Sequence, residues 1–522
     1  MNDHGPLMGD ILIRNALLYR DRPAVVFDGA TITFGALLER AQVLGHALLT
    51  AGLLAGDRAA MLAMNRAESV DFYSACELTG IIAVPVNFRL AAPETSWILN
   101  DVAPVVLLFE AQYAPLLETI RADLPPALRY VCLDADGRPD WAENYADFVA
   151  TGRAEPLPEM PRAADPLCIV YTSGTTGRPK GVIRSHGADA AQAQANSYEL
   201  ALTPDDRYLV MMPMFHVGAR GQQIAAHWRG AALVLHRGFD AGAVLAAIEE
   251  HRITVTHMAP TLLHDLFEHP DFAHRDLSSL KTVYYAAAPM PLDLLRKGLA
   301  RLGKVFVNGY GATEIYGITL HKHDHVLEGP EHLIARLKSV GQPAINTEAR
   351  IVDEAGKPVP PGTIGEIAMR GGACMTGYWN NHAATAQAMR GGWYHTGDMA
   401  YADENNFIFL VDRKKDMIIS GGENIYSREV ENALSEHPAV SEVAVIGVPD
   451  PRWGESVRAL VVLREGHVPD AGAIIEHCKE KIARYKAPKS VLFVPDLDRL
   501  ANGKTDKIAL RRRYGQPNGT GD

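Results

Sequence analysis

The sequence predicts an α/β protein with a large N-terminal domain and a small α+β domain at the C-terminal end. Helical patterns alternate with short apolar strands along the first half of the chain, which is typical of largely parallel sheets covered by helices. This order of elements occurs twice, so we expect two similar α/β subdomains, with a further β-rich subdomain completing the large domain.

The first run of elements is predicted as a helix over residues 33–51, a strand over 58–63, a helix over 68–78 and a strand over 81–86. The second run repeats the order, with helices over residues 186–202 and 218–228 and strands over 208–212 and 231–235. Such alternation favours sheets with helices on their faces over an all-helical or all-β fold.

After about residue 410 the pattern changes. We predict helices over residues 427–436 and 473–484 and strands over 440–446, 456–463 and 490–494, with a Pro-Asp-Pro loop joining the first two strands. A segment of this size is long enough to fold as a domain. We therefore divide the chain into an N-terminal domain, residues 1–411, and a C-terminal domain, residues 412–522.

Composition excludes several classes of protein. A net charge of -11 disfavours a nucleic-acid or membrane-surface partner, and no apolar run approaches the length of a membrane span. The first ten residues lack the basic and apolar regions of a secretory signal. The five cysteines lie far apart without metal-site spacing, so we expect reduced thiols in a cytoplasmic protein.

Residues 171–181 read YTSGTTGRPKG and follow an apolar strand predicted over residues 167–171. Glycines let the backbone approach an anion, and hydroxyl and N–H groups donate to phosphate oxygens. A Walker A loop does not fit, because Pro179 and Gly181 stand where its pattern requires other residues. A flexible polar turn is the remaining alternative. The predicted phosphate-binding residues are Thr172, Ser173, Gly174, Thr175, Thr176, Gly177 and Lys180.

This string resembles the phosphate loop of the adenylate-forming superfamily, which contains acyl-CoA synthetases, adenylation domains of peptide synthetases and beetle luciferases. Further family motifs follow in order: MPMFH at 212–216, AAAPMP at 286–291, NGYGATE at 308–314, WYHTGD at 393–398, DRKKDMIISGGEN at 412–424 and NGKTDK at 502–507. The chain looks most similar to bacterial fatty-acid or aryl-acid:CoA ligases. The resemblance implies an acid:CoA ligase that uses ATP, Mg²⁺ and coenzyme A.

The resemblance also implies a nucleotide site. Glu314 and Thr175 would bind magnesium, a hard cation that prefers oxygen ligands. Asp398 would accept hydrogen bonds from the ribose hydroxyls, assisted by Arg413. The residues expected around adenine and phosphate are Ala287, Ala288, Pro289, Asn308, Gly309, Tyr310, Gly311, Ala312 and Thr313.

Two further residues are implied to act on the acid itself. Lys504 resembles the family lysine that bridges the carboxylate and the α-phosphate, and a solvated surface lysine is the alternative. Because a carboxylic acid is already ionised at neutral pH, the reaction needs positive charge and alignment rather than a general base. His216 resembles the aromatic gate beside the acyl carboxylate, and a packed histidine with one hydrogen bond is the alternative.

For the second half-reaction, the family's small domain swings about a hinge, here at Lys415, and Gly421 and Gly422 would line the pantetheine tunnel. Two alternatives stay open: an acyl-AMP ligase or stand-alone adenylation enzyme that loads a carrier protein, and a non-catalytic relative that binds ligand. A homodimer is also left open.

The expected partner is a small carboxylic acid. Its pocket is predicted between residues 218–222, Ala286, Gly309 and Tyr316, where small side chains favour a medium-length fatty acid or an aryl acid over acetate. No basic residue other than Arg220 stands in those stretches, so a dicarboxylic acid is disfavoured. The alternating histidines at 321, 323 and 325 are expected to be solvated, with no metal assigned.

Overall fold

The computed structural model describes residues 5–157, 159–172, 179–288, 290–413, 416–420, 423–450, 453–500 and 503–516. The chain divides into two compact units. The first comprises residues 1–349 and 369–394, and the second comprises residues 350–368 and 395–522. The predicted boundary after residue 411 concerns domain motion and stays a prediction.

Two large sheets lie in the first unit. The nine-stranded sheet has the order β16-β15-β14-β13-β12-β10-β11-β1-β2. Its strands are β1 (Pro23–Phe27), β2 (Ala30–Thr33), β10 (Arg207–Val210), β11 (Ala232–Leu235), β12 (Val255–Met258), β13 (Thr282–Tyr285), β14 (Phe306–Gly311), β15 (Tyr316–Leu320) and β16 (Gln342–Pro343). Strands β11, β10, β12, β13 and β14 pair in parallel, so their carboxyl ends share one edge.

The eight-stranded sheet has the order β19-β9-β8-β4-β3-β5-β6-β7. Its strands are β3 (Arg58–Leu62), β4 (Ile82–Pro85), β5 (Val106–Phe109), β6 (Arg129–Cys132), β7 (Glu143–Asn144), β8 (Pro166–Thr172), β9 (Lys180–Ser185) and β19 (Gly377–Tyr378). Strand β9 runs antiparallel to β8 and to β19, which brings the segment after the phosphate loop beside Tyr378.

Thirteen helices of the first unit are described: α1 (Met8–Leu18), α2 (Phe34–Thr50), α3 (Ala67–Thr79), α4 (Ala92–Val102), α5 (Ala114–Ile120), α6 (Tyr145–Val149), α7 (His186–Glu199), α8 (Val217–Arg229), α9 (Ala241–Glu250), α10 (Pro260–Glu268), α11 (Leu292–Leu302), α12 (Glu331–Ala335) and α13 (His382–Ala388). Among these described residues, no helix is long and apolar enough to cross a membrane.

Local signals explain where the helices near the site begin and end. The Ser185 side chain caps α7 by accepting from Ala188 N at 3.1 Å. Helix α8 ends at Gly230, whose φ of +76° is the left-handed conformation that glycine adopts without strain. Phe34, Phe72 and Ala225 bury the inner faces of α2, α3 and α8 in one core with the strands of both large sheets.

The second unit holds most of a smaller sheet and a separate α+β fold. Strands β17 (Thr347–Val352), β18 (Gly365–Gly371), β20 (Met389–Arg390), β21 (Trp393–Ala402) and β22 (Ile408–Arg413) form the smaller sheet. The last sheet contains β23 (Ile418–Ser420), β24 (Glu423–Ile425), β25 (Val440–Asp450), β26 (Gly454–Leu463) and β27 (Ser490–Phe493), with helices α14 (Ser427–Ser435), α15 (Ala471–Lys481) and α16 (Lys507–Tyr514).

The α/β class and the presence of a large and a small domain are confirmed. The predicted helices and strands occur within a few residues of their expected bounds. One difference is the Pro-Asp-Pro loop, because β25 continues to Asp450 and pairs with β26 as far as Gly454. Proline lacks an N–H donor but does not prevent pairing at the end of a ladder.

Candidate active site

The carboxyl edge of the nine-stranded sheet carries the residues predicted to surround adenine. Tyr285, at the end of β13, pairs in parallel with Asn308 on β14. The segment after β13 holds the exposed Ala287 and Ala288, and Ala287 has a φ of +71°, which is costly for a residue with a Cβ. Ligands of open α/β sheets bind outside such an edge. Pro289 lies outside the described residues.

The turn between β14 and β15 presents Glu314. Gly311 and Ala312 are exposed there, whereas Thr313 is buried. Backbone contacts hold the turn, since Ala312 N donates to Ile315 O at 2.7 Å and Met375 N donates to Glu314 O at 2.6 Å. The half-buried Glu314 carboxylate is therefore placed by main-chain bonds on both sides.

Tyr378 is a site residue that sequence reasoning missed. Its hydroxyl donates to Glu314 Oε1 at 2.8 Å. Burial and the neighbouring Glu314 carboxylate raise the pKa of the Tyr378 hydroxyl well above its ordinary value, so it remains a donor at neutral pH. The Nζ atom of Lys180 lies 5.1 Å from the centre of the Tyr378 ring, which connects the phosphate-loop lysine with the Glu314 carboxylate.

Arg184, on β9, was also missed. Its guanidinium donates to the carbonyl oxygens of Thr313 and Ala373, each at 3.2 Å. The other donors bond Asp189 at 2.8 Å, Gln192 at 2.7 Å and Ala188 O at 3.4 Å. These five bonds match the five N–H donors of an arginine. The strand after the phosphate loop is thereby connected to the turn that carries Glu314.

The Arg220 side chain does not serve as a free base in the acid pocket. It is buried and bonds Glu77 at 2.6 Å and Asp189 at 3.1 Å. Burial lowers the pKa of Arg220, but the charges of Glu77 and Asp189 outweigh this and raise it above its ordinary value. With Arg184 these side chains form a buried charge network that links α3, α7, α8 and β9. The sequence pattern alone did not show that Arg220 is paired.

His216 immediately precedes α8 and caps it. Its Nδ1 accepts from Gly218 N at 3.1 Å, so the proton of the neutral ring is on Nε2. The side chain is half-buried, and the His257 imidazole lies near it, because a Cβ at Gly218 would contact both rings. The predicted gate and the alternative of a packed histidine with one hydrogen bond are therefore compatible.

Gly309 faces Tyr284 on the neighbouring strand. A Cβ at position 309 would lie 1.8 Å from the Tyr284 hydroxyl oxygen and 2.4 Å from the adjacent ring carbon. The space left by this glycine is therefore filled by a buried tyrosine, so it does not by itself deepen the acid pocket. The expectation that a small residue at 309 opens the pocket overlooked this neighbour across the sheet.

The predicted ribose residue, Asp398, lies within β21 in the second unit, next to a glycine at positive φ. Asp398 N donates to Thr396 Oγ1 at 3.1 Å, and Gly397 N donates to Glu366 Oε1 at 3.0 Å. The φ of Gly397 is +74°, which explains the glycine in this motif. In the strand register Asp398 pairs with Arg413, whose side chain lies outside the description.

Lys504 is exposed and follows Gly503, whose φ is +81°. Its carbonyl accepts from Leu500 N at 2.8 Å, which closes a turn. Several predicted site residues lie outside the described residues: Ser173, Gly174, Thr175, Thr176 and Gly177 of the phosphate loop, and Lys415, Gly421 and Gly422. Thr172 is described, and its hydroxyl lies 3.4 Å from Lys180 O at the mouth of the loop.

The histidine-rich segment contacts protein groups. The expectation that these histidines are solvated is wrong for His325, which is buried with its Nε2 3.0 Å from the Tyr285 hydroxyl. His321 lies 3.2 Å from Glu199. Within the described part of the chain, no group of three or more His, Cys, Asp or Glu side chains could hold a metal ion.

Comparison with known proteins gives the same picture for most of the chain. The protein is 38% identical over 511 residues to a feruloyl-CoA synthase of Amycolatopsis sp, and the match covers 97% of this chain and 99% of that protein. It is 37% identical to a long-chain-fatty-acid–CoA ligase of Mycobacterium tuberculosis, covering 90% of each. The structure of an anthranilate CoA ligase in complex with anthranoyl-AMP matches with a TM-score of 0.87 and 30% identity, covering 98% of this chain and 97% of that one.

The family models divide the chain in the predicted order. Residues 12–379 match the AMP-binding enzyme model, and residues 429–504 match the AMP-binding enzyme C-terminal domain model. The first match alone covers more than half of the chain and contains the strands and turns that carry Lys180, Glu314 and Tyr378. The chain therefore belongs to the AMP-binding enzyme family.

Proposed function

We propose that this protein is an AMP-forming acid:CoA ligase that acts on a fatty or aryl carboxylic acid. In the first step the acid carboxylate attacks the α-phosphorus of ATP, forming acyl-adenylate and releasing pyrophosphate. In the second step the thiol of coenzyme A attacks the acyl carbonyl and releases AMP. The observation that carries this proposal is Glu314, held by Tyr378 and adjacent to the adenine residues of β14.

The first step joins two anions, so it requires charge compensation. Lys504 would supply positive charge to the carboxylate and the α-phosphate, and Lys180 would supply it to the phosphate chain. The Nε2–H of His216 would donate to the acyl carboxylate and hold it in line. Asn308 and Tyr310 would bind the adenine edge and face, and Asp398 would accept from the ribose.

The site fits a magnesium ion. The Glu314 carboxylate is a hard oxygen ligand, and one of its oxygens is oriented by the Tyr378 hydroxyl at 2.8 Å. Thr175 is the second proposed ligand. When bound, magnesium would neutralise charge on the phosphate oxygens. The protein's own contribution is to hold Glu314 through the Tyr378 hydroxyl, Met375 N and the carbonyl contacts of Arg184.

For the second step, Lys415 is the proposed hinge, and Gly421 and Gly422 the proposed tunnel. Free coenzyme A is the proposed acceptor, and a carrier protein is the alternative.

The protein is also proposed to be cytoplasmic. All five cysteines are free, which supports a reducing compartment.

The test is a pyrophosphate-release assay with purified protein, ATP, Mg²⁺ and acids from C2 to C16, benzoates and cinnamates. Without coenzyme A, release should stop near one equivalent per enzyme because the adenylate stays bound. Adding coenzyme A should restore turnover and yield the acyl thioester. Turnover that requires a phosphopantetheinyl carrier protein would instead support the carrier-loading alternative. Absence of pyrophosphate release with every acid would contradict the proposal.

A further inference from the structure

A buried pair of neutral side chains lies beside His216. Gln222, on α8, and His257, on β12, form a hydrogen bond between the Gln222 amide and His257 Nδ1. Each side chain is 3% exposed. Both belong to elements that bring residues to the carboxyl edge of the nine-stranded sheet.

Each member of the pair has one polar atom without a hydrogen bond. Among the described residues, nothing bonds Gln222 Oε1 or His257 Nε2. If the Gln222 amide nitrogen donates to Nδ1, His257 carries its proton on Nε2 as an unused donor, and Gln222 Oε1 is an unused acceptor. If the amide is turned round, the two roles exchange. Either way the pair has one free donor and one free acceptor. Buried groups of this kind usually have partners.

Gln222 lies about one helical turn beyond Gly218, which follows the proposed gate residue His216. Gly218 and Gln222 are four residues apart on α8, so they share a face about 6 Å apart along the helix axis. A Cβ at Gly218 would lie 3.3 Å from His216 Nδ1 and 3.5 Å from His257 Cε1. Glycine at 218 therefore leaves a narrow space between the two imidazoles.

Aromatic and uncharged groups surround this space. The His257 and Tyr284 ring centres are 4.8 Å apart. Burial, followed by the proximity of His216, lowers the pKa of His257 to about 3, so its ring is neutral at physiological pH. A second carboxylate on the substrate would meet no compensating charge here, because Arg220 is already paired with Glu77 and Asp189.

We propose that Gln222 and His257 bind a hydroxyl group on an aromatic acid, at the end of the ring away from the carboxylate. This inference rests on the proposed acid:CoA ligase function and narrows its substrate to hydroxyaryl acids. A hydroxyl both donates and accepts, so it satisfies both free atoms at once. A methyl group of similar size satisfies neither and leaves both buried atoms unpaired.

The experiment compares matched acids in the wild-type protein: 4-hydroxycinnamate with 4-methylcinnamate, and 4-hydroxybenzoate with 4-methylbenzoate. We expect kcat/KM for thioester formation to favour the hydroxyl compound of at least one pair by about 10²-fold, because sites that bind a hydroxyl reject analogues without it. Decanoate and 10-hydroxydecanoate form a third pair. Ratios within threefold for both aryl pairs would overturn the inference while leaving the ligase function intact.

Single substitutions then test whether Gln222 and His257 cause the preference for the hydroxyl compound. Gln222→Leu and His257→Phe should each reduce the hydroxyl-to-methyl ratio to within a few-fold, mainly by slowing the hydroxyl compound. Thr256→Val is the matched control, because Thr256 is buried on the same strand with its side chain on the opposite face. It should retain the wild-type ratio. A full preference retained in folded Gln222→Leu and His257→Phe would also overturn the inference. Failure of every acid to release pyrophosphate would contradict the ligase proposal itself.

Discussion

The two ends of the proposed site differ in how their buried polar groups are satisfied. At the nucleotide end, Arg184 uses all five of its donors, and two of them hold the carbonyls of Thr313 and Ala373. At the acyl end, Gln222 and His257 bond each other but leave two polar atoms unpaired among the described residues. The difference is that the polar groups at the proposed nucleotide end are bonded within the protein, whereas the proposed acyl end keeps two buried polar atoms that a substrate could bond.

The largest effect should come from removing the charge that the chemistry requires. Lys504→Ala should slow adenylate formation by about 10²-fold or more, the scale of losing one preorganised donor. Thioester formation from supplied acyl-AMP should be spared. Pyrophosphate release and single-turnover thioester formation measure the two steps separately. Lys489→Ala, at another exposed lysine of the same unit, is the control. Equal damage to both steps would show that Lys504 has a different role.

A second change introduces a steric clash near the proposed acyl end. Gly309→Ala places a Cβ where the Tyr284 hydroxyl lies, so the buried tyrosine must move. We expect a loss of about 1–3 kcal/mol in the free energy of unfolding. In a Tyr284→Val background the same change should cost much less. Urea denaturation of the wild type, the two single variants and the double variant measures the coupling energy between positions 309 and 284. Short and long acids should lose activity alike. A selective loss for long acids with unchanged stability would restore the view that position 309 faces the pocket.

A third change weakens the nucleotide end. Arg184→Lys keeps the charge beside Asp189 but cannot reproduce the planar fork, so the Thr313 and Ala373 carbonyls lose their shared donor. We expect adenylation to fall about tenfold, at roughly 1.4 kcal/mol, with a higher Mg²⁺ requirement. Arg129 makes a similar pair of hydrogen bonds to the Glu143 carboxylate at the surface. Arg129→Lys is therefore the control, and it should change neither the rate of adenylation nor the Mg²⁺ requirement. An unchanged Mg²⁺ dependence in Arg184→Lys would limit Arg184 to a role in stability.

A fourth change removes one hydrogen bond at the same end. Tyr378→Phe deletes the 2.8 Å contact to Glu314 Oε1. We expect about a fivefold loss in kcat at limiting Mg²⁺, in line with about 1 kcal/mol for one hydrogen bond, and partial recovery at high Mg²⁺. The exposed Tyr198 provides the control, Tyr198→Phe. A loss that Mg²⁺ cannot relieve would place Tyr378 outside the metal's surroundings.

The smallest effect concerns His186, a buried histidine that belongs to neither the nucleotide end nor the acyl end of the proposed site. Burial lowers the pKa of His186 from 6.5 to about 4. The unfolded chain therefore binds a proton more readily below pH 6.5, so this contribution to stability is complete above that pH and is lost as pH falls toward 4. From pH 7 to pH 6 we expect the free energy of unfolding to fall by about 0.7 kcal/mol for this residue. Chemical denaturation at both pH values should show a shallower dependence in His186→Phe, and an unchanged slope would contradict the assignment.

The sequence by itself determined the class of fold and the family, and it predicted the segments of the proposed nucleotide site. These depend on local information: apolar runs for strands such as β8 and β11, and glycines at positive φ in motifs such as Gly397 and Gly503. A motif that is contiguous along the chain can be identified without knowing what it contacts. The lysine, glutamate and aspartate of the proposed chemistry were all predicted in this way.

The tertiary structure decided which side chains meet these motifs. Tyr378 is 64 residues from Glu314, and Arg184 is 129 residues from Thr313. Tyr284 meets Gly309 because β13 and β14 pair in parallel, and Gln222 on α8 meets His257 on β12 through a hydrogen bond between residues 35 apart in the chain. Such pairings depend on strand order and register, which the alternation of apolar and polar residues along a single strand does not specify. The sequence could therefore name the groups proposed to act on ATP, whereas only the folded chain showed which side chains contact those groups and which polar atoms lie beside His216.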